Sequence, residues 1–124
     1  MILGIGIDII EIDRIKRSID QYGDNFLKKI YTRTEIEYAK SKSNKYQHFA
    51  ARFAAKEAIY KALSSDTVKI YSWHDVEIYN EVNGLPKVNF YGELKDYLNE
   101  DKQLKISMSH SENYVTCVAI LYNK

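Results

Sequence analysis

The sequence predicts an α+β domain in which an antiparallel sheet packs against one long buried helix. Three observations carry that reading. Apolar, β-branched runs lie near both ends of the chain; Gln47 to Leu63 is a long helical pattern rich in alanine; Asn83-Gly84 is a turn signal between two short strand patterns.

Residues 2 to 10 form a near-continuous apolar run, the pattern of a strand buried on both faces. Asp13 stands where an N-cap opens a helix to about Ser18 or Asp20, and a turn of helix is expected from Phe26 to Ile30. Thr32-Arg33-Thr34-Glu35 has the spacing of a capping box, so the next helix starts there and runs to about Lys42. Val76–Tyr79 and Lys87–Phe90 predict a hairpin around Asn83-Gly84. Gly92 to Glu100 reads as a short amphipathic helix. Leu104–Met108 and Tyr114–Leu121 read as a final antiparallel pair turning at Ser111-Glu112-Asn113. The order is β-α-α-α-β-β-α-β-β, and residues 1–124 are expected to form one domain.

Bulk numbers narrow the function classes. The chain has 124 residues, 45% hydrophobic and 28% charged, which argues for a packed core and against disorder. Cys117 is the single cysteine, so no internal disulfide framework exists. No stretch approaches the roughly 18 apolar residues of a membrane span, and no leader pattern opens the chain. A cytoplasmic setting without a membrane partner is the expectation. So short a chain buries a modest share of its surface, which favours oligomers. Arg14 to Lys61 holds twelve Lys or Arg against five Asp or Glu, whereas the rest holds six against twelve. Such a basic block suits an anionic ligand or partner, or a solvated helical face. With eleven tyrosines it also suits single-stranded nucleic acid, but no nucleic-acid motif is present and none is expected as a partner.

Three places break the apolar pattern. Asp8 shares a strand face with Gly4, Gly6 and Ile10; a carboxylate there needs either backbone donors or a cation. Helix 49–63 gathers Ala51, Ala55, Ala58 and Ala62 on one side, where another backbone can approach. Arg52 and Lys56 fall inside its large-residue stripe, and Glu57 and Lys61 lie on the edge. Cations on a buried face need an anion, so these four read as ligand-facing, although a Glu-Lys pair one turn apart is also common on surfaces. His110 ends the strand Ile106-Ser107-Met108-Ser109-His110, pointing away from Ser109, so the two make a poor nucleophile-base dyad. It could bind phosphate, shuttle a proton or cap a turn. Two carboxylates, neighbouring cations and a histidine suit a magnesium-pyrophosphate site.

Gly4-Ile5-Gly6-Ile7-Asp8, Arg52-Phe53-Ala54-Ala55-Lys56-Glu57-Ala58 and Ile106-Ser107-Met108-Ser109-His110-Ser111 closely resemble the three signature blocks of the small bacterial holo-acyl-carrier-protein synthases, in the 4′-phosphopantetheinyl transferase superfamily. The resemblance implies the single-domain fold of that superfamily. It also implies transfer of the 4′-phosphopantetheine arm of coenzyme A to a serine of apo-acyl-carrier protein in fatty acid biosynthesis. On the same ground Asp8 and Glu57 are the Mg2+ ligands, and Arg52, Lys56, Lys61 and His110 surround the coenzyme A phosphates. Glu57, Lys61 and His110 are the catalytic candidates, the base being Glu57 through a metal-bound water, His110, or no enzyme group. Pro86, in Asn83-Gly84-Leu85-Pro86, walls the adenine pocket, and Arg14 docks the acidic carrier protein. A homotrimer with coenzyme A between subunits is implied as well. Ser64-Ser65-Asp66 departs from the family's Gly-Thr-Gly, a change that bears on nucleotide affinity.

Overall fold

The two ends of the chain lie side by side. In a computed structural model, which describes residues 1–64, 72–99 and 101–123, β1 (Ile2–Glu11) pairs antiparallel with β5 (Tyr114–Asn123). β4 (Lys102–His110) borders β5 on its other side, giving the sheet order β1-β5-β4. Between β1 and β4 the chain forms α1 (Ile12–Tyr22), α2 (Asp24–Ile30), α3 (Arg33–Lys40) and α4 (Lys45–Leu63). A 3₁₀ turn (Trp73–Asp75), the hairpin β2 (Val76–Asn80) and β3 (Pro86–Phe90), and α5 (Gly92–Tyr97) follow. The strand order and the helix between the hairpin and β4 are as expected. Four helices precede the hairpin rather than three, because the turn expected at Phe26 to Ile30 is a full helix, α2. Ser65 and Asp66 of the departure from the family pattern, and Glu100 at the expected end of α5, lie outside the described residues.

α4 lies across the inner face of the sheet and is apolar almost all round, burying Phe49, Ala54, Ala58, Ile59, Ala62 and Leu63. Its alanines bring it unusually close to β1. A Cβ on Gly6 would collide with the carbonyl oxygen of Ala58 and lie 2.7 Å from the Ala62 nitrogen. Val115, Cys117, Ala119 and Leu121 of β5 complete this core.

Local signals explain the rest. Thr32 and Glu35 form the expected capping box: Thr32 N donates to Glu35 Oε1 at 2.8 Å, and Glu35 N to Thr32 Oγ1 at 3.3 Å. Gly23, at φ 57°, supplies the left-handed corner between α1 and α2. Two expectations change. Glu11, not Asp13, is the N-cap of α1; Asp13 lies in the first turn and pairs with Arg17 at 3.1 Å. β1 is covered on one face only, because α4 takes the side of Gly4, Gly6 and Ile10. Ile5, Ile7 and Ile9 on the other side are 59%, 62% and 67% exposed.

Candidate active site

Six of the eight residues expected at the site fall into two groups, one at the β1 edge of the sheet and one towards β4. Asp8 lies on the edge strand β1, and Glu57 and Lys61 reach the same corner from α4. Lys61 Nζ donates to the Ile7 carbonyl at 2.9 Å and approaches Asp8 Oδ1 to 3.3 Å. The backbone contact at Gly6 makes this meeting possible, since it seats α4 directly over β1. Thr116 Oγ1 donates to the Asp8 carbonyl at 2.8 Å and ties the strand end to β5. Burial raises the pKa of Glu57, and the negative charge of Asp8 raises it further, against the opposing pull of Lys61. Those two carboxylates therefore feel each other. Cys117, beneath them, is pushed up to about 12 by burial and by Asp8, so its thiol stays protonated and offers no thiolate.

Among the described residues no group of three or more His, Cys, Asp or Glu could enclose a metal ion. The donor set at the corner nevertheless fits magnesium, which commonly takes one or two carboxylates and fills its other positions with water and phosphate oxygens. Asp8 and Glu57 supply hard oxygen donors, and their mutual repulsion is what a divalent cation relieves.

Towards β4, Arg52, Pro86 and His110 line a pocket of about 380 Å³ together with His48, Asn80 and Leu85. Arg52 is buried and its guanidinium is held on two sides. Its Nη2 donates to Asn80 Oδ1 at 2.8 Å, and its Cζ lies 4.4 Å from the centroid of the Tyr38 ring. Its Nε is buried with no hydrogen-bond partner among the described residues. Burial lowers the Arg52 pKa, opposed by Glu35, Tyr38 and Tyr31. His48 is lowered by burial and then by Arg52, Lys42 and His110. His110 ends β4 and is exposed.

Lys56 is a correction to the ligand-facing reading. Its side chain is fully buried, and Nζ meets Glu35 Oε1 at 2.8 Å, the Trp73 carbonyl at 2.9 Å and the Ile30 carbonyl at 3.0 Å. The anion it needs is Glu35, a partner in its own chain. Arg14 is exposed on α1. A larger hollow of about 680 Å³ under α2 and α3 contains none of the expected residues. Sequence reasoning missed His48 and Asn80. His48 carried a signal, since it sits one helical turn before Arg52; Asn80 carried none, because its role depends on where the hairpin lands.

One group is acidic with a lysine, and the other is cationic and concave, a chemistry suited to anionic ligands. A family model described as the 4′-phosphopantetheinyl transferase superfamily matches residues 4–119. The chain belongs to that superfamily. It is 44% identical over 123 residues to a holo-[acyl-carrier-protein] synthase of Koribacter versatilis, covering 98% of each chain. It is 49% identical over 117 residues to that of Chlamydia trachomatis serovar L2, covering 94% of this chain and 97% of the relative. The crystal structure of the Neisseria meningitidis holo-[acyl-carrier-protein] synthase matches with a TM-score of 0.88 at 30% identity, over 99% of this chain and 100% of that one. A Helicobacter pylori synthase in complex with coenzyme A matches with a TM-score of 0.80 at 31% identity, over 94% of this chain and 98% of that one.

Proposed function

We propose that this protein, working as one domain over residues 1–124, is a holo-acyl-carrier-protein synthase. It transfers 4′-phosphopantetheine from coenzyme A to a serine of apo-acyl-carrier protein and releases adenosine 3′,5′-bisphosphate. The observation that carries the reading is the corner where Lys61 meets Asp8 beside Glu57, whose proton affinity is raised by burial and then by that same Asp8.

In the reaction the serine hydroxyl oxygen bonds to the β-phosphorus of coenzyme A and gives up its proton. The candidate acceptors for that proton are Glu57 through a water, His110, or the solvent with no enzyme base. The bond from that phosphorus to the oxygen bridging to the α-phosphate breaks, and the leaving group keeps the electron pair. Asp8 and Glu57 would hold Mg2+, which supplies neutralisation of the pyrophosphate charge. Lys61, about half exposed, places its ammonium where it can stabilise charge on the reacting phosphate. Arg52 and His110 receive the anionic nucleotide end, and Pro86 forms a wall beside them. Glu57 is the candidate base nearest Asp8 and Lys61; His110 belongs to the nucleotide pocket. Arg14, exposed on α1, suits contact with an acidic carrier protein.

We propose that the protein assembles as a homotrimer. Ile5, Ile7 and Ile9 are exposed and stand opposite Ile120, Val118 and Thr116 across the β1–β5 ladder, an apolar sheet face that another copy could cover. Asp8 on β1 and His110 on β4 are separated by β5, so the strands that carry them lie roughly 10 Å apart. In that assembly we propose that the acidic corner of one copy works with the Arg52 pocket of the next. No helix among the described residues is long and apolar enough to cross a membrane. The cytoplasm and fatty acid biosynthesis are the setting we assign to the reaction.

The test is to incubate the protein with apo-acyl-carrier protein, coenzyme A and magnesium and to weigh the carrier by mass spectrometry. A gain of one phosphopantetheine, abolished by EDTA, is the expected result. No gain on several apo-carriers refutes the assignment.

A further inference from the structure

Lys56 sits in the helix between two residues assigned to the site, Arg52 and Glu57, yet points at neither half of it. Its three N–H donors are all used: one to Glu35, one to the carbonyl of Ile30, which ends α2, and one to that of Trp73, which opens the 3₁₀ turn. Glu35 is as completely engaged. Oε1 also takes the Thr32 backbone N–H at 2.8 Å, and Oε2 takes the Ile78 N–H of β2 at 2.8 Å. Both side chains are fully buried.

One ion pair therefore ties α4 to the end of α2, the start of α3, the 3₁₀ turn and β2. Two residues beyond Ile78, Asn80 holds Arg52 Nη2 and donates to the Gly84 carbonyl at 3.1 Å, and its Cα partner across the hairpin is Pro86. The wall of the Arg52 pocket is thus referenced to α4 through this pair. For Lys56 to reach a ligand it would have to abandon a carboxylate and two carbonyls in the core, which is strongly unfavourable.

We infer that Lys56 is a positioning residue rather than a ligand: with Glu35 it sets the β2–β3 hairpin, and so the Asn80–Pro86 wall of the pocket, against α4. The Asp8–Glu57–Lys61 corner is held separately, by the contact of α4 with β1. Losing the pair should accordingly weaken coenzyme A binding more than it slows the chemical step. The kinetic half of this inference rests on the proposed transferase reading; the structural half does not.

The wild-type protein gives the first test. Brief acetylation with acetic anhydride, mapped by mass spectrometry, should label the exposed Lys61. Lys56 should stay unlabelled with or without coenzyme A and react only after denaturation. Labelling of Lys56 in the native protein, suppressed by coenzyme A, would overturn the inference. A second test uses Glu35→Gln, which keeps shape and one acceptor but removes the charge. It should raise KM for coenzyme A about tenfold while kcat stays within about twofold. A fall in kcat at unchanged KM would overturn it. If Glu35→Gln fails to fold, the labelling result decides alone. If the wild type transfers nothing to any carrier, the transferase reading fails while the labelling still decides what Lys56 does.

Discussion

The two halves of the site are built by different means. The Asp8–Glu57–Lys61 corner rests on direct contact of backbones, with α4 laid on β1 at Gly6 and nothing between them. The Arg52 pocket is held at a distance, by side chains: Asn80 and Tyr38 orient the guanidinium, and a buried ion pair fixes the hairpin that carries Asn80. A backbone contact tolerates little change but places charges rigidly, as chemistry at a phosphorus atom requires. Side-chain struts tolerate more, which would suit the binding role proposed for this half.

Substitutions should separate the two. Asp8→Ala or Glu57→Ala should reduce turnover at least about a thousandfold while circular dichroism and melting stay near wild type, since both groups reach the surface. Retained turnover in both, with magnesium still required, would break the assignment of the corner. Gly6→Ala should cost about 3 kcal/mol or more in denaturant unfolding, because the new methyl meets backbone that cannot step aside. A neutral Gly6→Ala would mean that α4 and β1 are not so closely seated. Arg52→Lys keeps a charge but loses the planar fork that Tyr38 and Asn80 hold, so KM for coenzyme A should rise about tenfold with kcat little changed.

The smallest effect is a pH dependence. His48 has its pKa depressed by burial and by nearby cations. A depressed folded value means stability that is present above the unfolded value of about 6.5 and lost as pH falls through the lower folded one. Melting temperature should therefore decline on acidification through this range, and His48→Gln should flatten the decline. An unchanged slope in His48→Gln would remove His48 from the pocket's electrostatics.

What could be read from the residues was mostly local. Thr32 and Glu35 lie three positions apart, and a capping box is a property of that spacing alone. Asp8 announced itself as a carboxylate among isoleucines, and the alanines of α4 announced a close neighbour. Lys56 shows where this kind of reading ends. A buried cation does demand an anion, but Glu35 is a loop and a helix away, and only the fold decides that the anion is internal. β1 failed for a related reason. Its isoleucines predict cover on both faces, and this chain covers only one of them.

In the proposed homotrimer the corner of one copy works with the Arg52 pocket of the next. Complementation between two crippled variants tests it most directly. Glu57→Ala and Arg52→Ala are mixed, allowed to exchange subunits under mild denaturation, and assayed at coenzyme A well below KM. A shared site predicts recovery to about a quarter of wild-type activity, the fraction of sites that assemble two intact halves at random in a closed ring. No recovery, with exchange verified by native mass spectrometry, would contradict the account and place both halves of the site within one copy.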